Sequence, residues 1–282
     1  MNKLCIQIVL FLLTISLYVN NKTLATEPAP IKYVAFKPRK CYLTSEEIYE
    51  KNKHLLCTDP EETVKADEVM NEAVKHLEHH SANIDDYKFW VVNPYYRTFF
   101  YKKKDKNLTD VLKVKFKIDD SDKYNEIINM LWDPDRHIFS NSDFVKIVRV
   151  YNPNLVMIQQ RYKKKFGRLQ RYFYALATKV ELSENKTIVV MASANINDHN
   201  LSIEVYQNTI IKSANLFKTD IDSEDDIRKG ELKKTFINIA GYLIEKKDGY
   251  SDITYIESFN RHAFIPLKRM LRKALCCFLP HK

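Results

Sequence analysis

Six cations fall within eleven residues at Arg161, Lys163, Lys164, Lys165, Arg168 and Arg171, with no acid between Gln159 and Val180. Together with Lys102, Lys103, Lys104 and Lys106 they could attract the phosphates of anionic lipid headgroups or of nucleic acid. Interleaved Tyr162, Phe166, Tyr172 and Phe173 could stack on bases. A charged hairpin tip that keeps the chain soluble accounts for the same pattern. His76 and His80 share a helix face and could hold zinc, but the spacing is not His-Glu-x-x-His and no third ligand is evident. Asp133 and Asp135 beside Trp132 form a carboxylate pair, although an Asp-Pro-Asp run also serves to stop a helix.

Nothing assembles into a catalytic device. No Gly-x-Ser-x-Gly elbow occurs, and the eight histidines suggest no base for a serine. Only four glycines exist, Gly167, Gly230, Gly241 and Gly249, too few and too scattered for a phosphate-cradling loop. No cysteine pair has metal-site spacing. A non-enzyme without metal or cofactor is therefore expected.

The elements that would position these residues are mostly strands. Period-two and short apolar runs predict strands over 87–92, 97–103, 112–118, 144–151, 155–163, 169–182, 187–195, 232–246 and 253–259. Asn152-Pro153-Asn154 and Ser183-Glu184-Asn185 are turn-like, so the middle strands should be joined as hairpins. Thr44-x-x-Glu47 predicts a capping box opening a helix to about Leu56. Asp59-Pro60-Glu61-Glu62 predicts a second helix to about His80, with Ala66, Val69, Met70, Ala73, Val74 and Leu77 on its apolar face. A further helix is expected over 122–131. Ile203, Tyr206, Ile210, Ala214 and Phe217 are spaced as another within an insertion at 198–230, followed by an acidic loop at 220–226. The chain closes on an expected helix over 263–279, whose Phe264, Leu267, Met270, Leu271, Ala274, Leu275 and Phe278 share one face. A long apolar helix laid over a curved antiparallel sheet can enclose a cavity for apolar ligands; ordinary packing of helix on sheet is the alternative.

Residues 1–25 read as a signal peptide, with Lys3, an apolar run from Leu4 to Val19 and Thr23-Leu24-Ala25 before the cut. Its removal lowers the net charge from +9 to +7 by taking Lys3 and Lys22. Export sets nucleic acid aside and leaves a membrane surface as the partner for Lys163, Lys164, Lys165 and Arg168. Residues 26–40, with Pro28, Pro30 and Pro38, form a linker. Residues 41–85 form a helical region and 86–282 the main domain. With 45% hydrophobic residues, 17 Tyr and 15 Phe, the chain can bury a substantial core. Cys41 and Cys57 flank one helix and could pair after export, while Cys276 and Cys277 fit packing better.

From about Asp86 to Leu279 the order of elements resembles the helix-grip fold of the START (steroidogenic acute regulatory protein-related lipid transfer) family. The residues that carry it are Asn129-Met-Leu-Trp132-Asp-Pro-Asp-Arg136, Gln170-Arg171-Tyr172-Phe173-Tyr174, and Gly241-Tyr242-Leu243-Ile244 followed by Ile253-Thr254-Tyr255-Ile256. More closely, the leader Ile6 to Val19, Val148 to Tyr162 and Ser213 to Asp226 resemble the fam-a family of malaria-parasite proteins. That resemblance implies an α+β, START-like fold in a protein secreted toward the parasitophorous vacuole or host red cell. It also implies binding and transfer of a phosphatidylcholine-like phospholipid between membranes. On the family pattern, Arg136 would meet the lipid phosphate and Tyr172 would be one wall of a choline cage. The other cage positions fall at Ile158 and Asn238, where the family's tryptophan and tyrosine are absent. Trp132, Tyr174, Phe264, Leu267 and Met270 complete the candidate lipid-binding set. An exported interaction or adhesion protein that keeps the fold without transfer is the alternative, and a lipid or phosphate-ester hydrolase a more remote one.

Overall fold

Turn chemistry and β-rich runs shape most of the chain. In the computed structural model, residues 42–83, 85–94, 97–104, 110–134, 142–164, 166–201 and 206–259 are described; the leader, the linker and the expected closing helix lie outside them. Twelve strands occur among the described residues: β1 Lys88–Asn93, β2 Thr98–Lys104, β3 Asp110–Asp119, β4 Ser142–Asn152, β5 Leu155–Tyr162, β6 Gln170–Ser183, β7 Lys186–Ala192, β8 Asn195–Asn197, β9 Lys218–Asp220, β10 Leu232–Lys234, β11 Ile237–Lys247 and β12 Tyr250–Phe259. Ten of them form one sheet in the order β1-β2-β3-β12-β11-β7-β6-β5-β4, with β10 pairing β6, while β8 and β9 pair separately. All neighbours along that order run antiparallel; β10 runs parallel to β6. The α+β class and the large antiparallel sheet are as the sequence implies.

Four α-helices cover it among the described residues: α1 Ser45–Lys51, α2 Pro60–Ala82, α3 Tyr124–Trp132 and the single turn α4 Asp225–Arg228. The capping box at α1 forms, with the Glu47 amide 3.2 Å from Thr44 Oγ1 and the Thr44 amide 2.8 Å from Glu47 Oε2. Asp59 caps α2 by accepting from the Glu61 and Glu62 amides at 2.9 and 3.3 Å. The far end of α2 is closed by a residue that sequence spacing does not flag. Lys113 of β3 is buried, and its ammonium donates to the carbonyls of His80, Ser81 and Asn83 at 2.9, 2.8 and 2.8 Å. Those are the acceptors a helix end leaves orphaned.

Both faces of the sheet are covered. On one, α2 sets Ala66, Val69, Ala73 and Leu77 against Leu176, Ile188, Val190 and Leu243. On the other, α3 and Ile48 of α1 pack over Val156, Ile158, Ala177, Met191, Ala240 and Tyr255. Gly241 lets β11 lie tightly on β7: a Cβ there would sit 2.5 Å from the Val189 carbonyl oxygen.

The insertion departs from expectation. Instead of a helix through 203–217, the described part holds only a 3-10 turn, Ser213–Asn215. The buried side chain of Asn208 explains this. Its Oδ1 accepts from the amides of Ile210 and Ile211 at 3.0 and 2.9 Å, and its Nδ2 donates to the carbonyls of Ser193 and Asn238 at 3.1 and 2.9 Å. Local side-chain bonds to backbone compete with the helix ladder and win here. The expected strand 232–246 is likewise two strands, because the Thr235 amide leaves the run to donate to the Tyr172 carbonyl at 2.8 Å.

Candidate ligand site

Among the described residues, the α3 face of the sheet is not closed completely. A cleft runs between Met130, Leu131 and Trp132 of α3, Ile48 of α1, and Val145, Ile147, Val156, Ile158, Ala177, Val189, Met191 and Ala240 of the sheet. Its enclosed space is narrow, about 60 Å³, and reaches about 650 Å³ when everything between the walls out to the mouth is counted. Among the described lining residues, Trp132, Asp133 and Gln160 have polar side-chain atoms and the rest are apolar. Trp132 is 6% exposed, and its buried indole N–H has no hydrogen-bond partner among the described residues. A second, wider hollow beside α2 is polar, lined by Asp67, Asn71, Asn152, Asn154 and Lys179 among others.

The sequence-derived candidates divide by strand parity. Trp132 and Ile158 line the cleft. Tyr172 and Tyr174 do not; they belong to the cluster on the α2 face, while Phe173 and Ala175 between and beyond them take the cleft face. Tyr172 is already engaged, its hydroxyl donating to Asp198 Oδ2 at 2.8 Å, and the Lys234 ammonium sits 2.6 Å from the other oxygen of that carboxylate. Burial, followed by the Asp198 charge, pushes the Tyr172 hydroxyl far above its ordinary range. Asn238 lies at an irregularity of the β11–β12 ladder, accepting from Tyr206 Oη at 3.0 Å and bonded to Ser258 Oγ at 3.3 Å. Arg136, Lys165, Phe264, Leu267, Met270 and Cys41 lie outside the described residues. Cys57 is a free thiol, half-buried, 3.6 Å from the Asp59 carbonyl.

The basic run is partly neutralised. Arg161 forks onto Asp226 at 2.5 and 3.0 Å and lies 3.1 Å from Glu224, so the acidic loop folds back on the start of the run. Lys163, Lys164 and Arg168 stay exposed at the β5–β6 tip, and so do Phe166 and Leu169. His80 is buried with Nδ1 2.9 Å from Tyr87 Oη, and burial, then the Lys103 charge, draws it down to about 4. No group of three or more potential metal ligands occurs among the described residues, and no helix among them is long and apolar enough to cross a membrane.

Sequence reasoning missed one polar group on the cleft face. Glu257 is buried and accepts from Tyr255 Oη at 2.7 Å, and burial raises its carboxyl to about 7. The Tyr242 and Tyr255 rings pack 4.7 Å apart nearby, and the buried Tyr162 hydroxyl has no partner among the described residues. The signal was available: Ile253, Tyr255, Glu257 and Phe259 alternate on β12, which puts a carboxyl in an inward position.

Sheet, covering helix and apolar cleft together define an α+β fold with a hydrophobic site on one sheet face. No protein-family model and no curated protein matches the sequence. Solved structures similar to the chain are START-related lipid transfer domains. One is human STARD10, at 9% identity and TM-score 0.48, covering 71% of this chain and 78% of that one. Another is the human StarD13 lipid transfer and protein localization domain, at 14% and 0.48, covering 74% and 97%. Human StAR-related lipid transfer protein 5 stands at 8% and 0.49, covering 76% and 92%.

Proposed function

We propose that the protein is a non-enzymatic lipid carrier, which holds the acyl part of a phosphatidylcholine-like lipid in the cleft and exchanges it at a membrane. The observation that carries this reading is a cleft walled by apolar side chains from α1, α3 and five adjacent strands, with few polar groups among the described residues. Each methylene moved from water into such a site gains about 0.8 kcal/mol. The enclosed space of about 60 Å³ is far below the ~300 Å³ of a usual ligand pocket, so loading requires the walls to part. The β5–β6 tip suits docking, because exposed Phe166 and Leu169 can enter the headgroup layer while Lys163, Lys164 and Arg168 meet anionic lipid at about 1 kcal/mol each. Secretion by a malaria parasite and the phosphatidylcholine preference follow the fam-a resemblance and belong to the proposal.

The test is native mass spectrometry and lipid extraction of purified residues 26–282, with transfer of a fluorescent phosphatidylcholine between vesicles. Bound phospholipid and transfer are expected. An empty chain that transfers nothing would favour the interaction-protein reading, for which β1 offers an exposed apolar edge at Phe89, Trp90, Val91 and Val92. Replacing Lys163 and Lys164 with Glu should slow transfer to anionic vesicles more than to neutral ones.

A further inference from the structure

Strand β1 forms one margin of the large sheet, and Lys88, Phe89, Trp90, Val91 and Val92 are all exposed. A surface seldom gathers so many large apolar side chains without a use. The ladder with β2 arranges them. Phe89 stands opposite Tyr101, Val91 opposite Phe100 and Val92 opposite Phe99, so β1 carries one extra residue between Phe89 and Val91. Opposed residues share a face, and successive ones alternate. The extra residue therefore turns Phe89 and Val92 to the same side, with Phe99 and Tyr101 beside them. Phe89, Val92 and Phe99 are 59%, 40% and 42% exposed, and the Phe89 and Tyr101 rings meet edge to face at 5.9 Å. Tyr101 packs on the cluster beneath α2, so the strip continues that face of the sheet and points away from the cleft. Trp90 is the residue left without an opposite number, and it too is exposed.

The charges around the strip favour an anionic partner. Lys115 of β3 stands opposite Phe99, and Lys88 and Arg97 are exposed at the two ends of the β1–β2 pair. Asp86 and Asp110, the acids flanking these strands, are already paired with Lys103 and Lys102. We infer that the strip is a bilayer contact: Phe89, Trp90, Val92 and Phe99 enter the interfacial layer of a membrane, while Lys88, Arg97 and Lys115 meet its anionic headgroups. Tryptophan is favoured at that depth, and basic side chains beside an apolar surface add attraction to anionic lipid. Edge-to-edge pairing with a second copy fits less well, because the extra residue at Trp90 interrupts the regular ladder, a device that guards sheet edges against such pairing. The apolar side chains also line a face of the strand, where pairing along its edge would leave them exposed. This rests on the carrier reading and deepens it by naming a membrane contact besides the β5–β6 tip.

The chain has two tryptophans, and Trp132 is buried, so Trp90 can report on the strip directly. Vesicles of mixed phosphatidylcholine and phosphatidylserine with brominated acyl chains should quench the emission and shift it to shorter wavelength. Trp90→Phe should still bind these vesicles and lose that response. Phe89→Asp combined with Val92→Asp, both at exposed positions, should weaken vesicle binding in flotation about tenfold. Vesicles of phosphatidylcholine alone should bind more weakly than the mixed ones. Quenching that survives Trp90→Phe, binding unchanged by the two aspartates, equal binding to neutral and anionic vesicles, or no vesicle binding would each overturn the contact. A concentration-dependent dimer that the aspartates abolish in sedimentation would also overturn it, assigning the strip to a second copy. Should the double variant fail to fold, the comparison of wild type with Trp90→Phe decides alone. Phosphatidylcholine transfer without quenching of Trp90 would overturn the strip and spare the carrier reading. Quenching of Trp90 in a protein that extracts no lipid would support the strip and sink the carrier reading.

Discussion

Filling the cleft should stabilise the protein and abolish its binding. Ala177 of β6 lines the space and stands in register between Val156 of β5 and Met191 of β7, both also in the wall. Ala177→Ile adds three carbons at a strand position where a β-branched side chain is well accommodated. Empty volume costs ~24 cal/mol per Å³, so occupying about 60 Å³ recovers at most ~1.4 kcal/mol, less whatever strain the new rotamer meets. For a chain of this size that corresponds to a rise of about 3–5 °C in Tm. Ligand should act oppositely on the two proteins. A ligand present at about 100 times its Kd stabilises the folded state by ~2.7 kcal/mol, so methyl decanoate should raise the wild-type Tm clearly and leave that of Ala177→Ile where it was. Thermal melts by circular dichroism, with and without ligand, read both effects. A fall in Tm would mean the walls already touch and there is no space to fill. An unchanged ligand-induced rise would place binding outside this cleft.

Three further outcomes test the frame that holds the cleft. Arg149→Ala should cost about 3 kcal/mol, because it strips the guanidinium from Glu62, 13% exposed and bonded at 2.7 and 2.9 Å, leaving a buried carboxylate unpaired. Adding Glu62→Gln to it should restore part of that loss in a double-mutant cycle of urea midpoints, and strict additivity would count against the pair. Gly241→Ala drives a methyl into the β7 backbone at 2.5 and 2.8 Å, where no side chain can yield, so its urea midpoint should fall by about 3 kcal/mol equivalent, and a change below 1 would refute the contact. Glu257 carries a pH signature. Its folded pKa of about 7 exceeds its ordinary 4.5, so its stabilising contribution is complete below pH 4.5 and is lost as pH rises through 7, a swing of about 3 kcal/mol. Glu257→Gln should remove that slope, and denaturation profiles of equal slope from pH 4 to 8 in both proteins would show that Glu257 does not titrate in this range.

The sequence disclosed the strands and helix starts because those depend on local chemistry, as at Thr44 with Glu47 and at Asp59. It disclosed the side-chain parity of β6 poorly, and the reason is physical. From Tyr172 to Leu176 the strand is buried on both faces, between α2 on one side and the cleft on the other, so no polar alternation marks which side is which. A one-residue error then exchanges the faces, and with them the choice between Tyr172 and Phe173 as the cleft residue. The polar residues that matter most inside were unreadable for a different reason. Lys113 looks like any strand lysine until helix α2 ends above it with carbonyls to cap, and Trp132 looks like an apolar residue closing a helix until its N–H is found buried with no acceptor among the described residues. Lys113 acquires its role from a partner distant in the chain. For Lys113 the missing half is a helix end some thirty residues away.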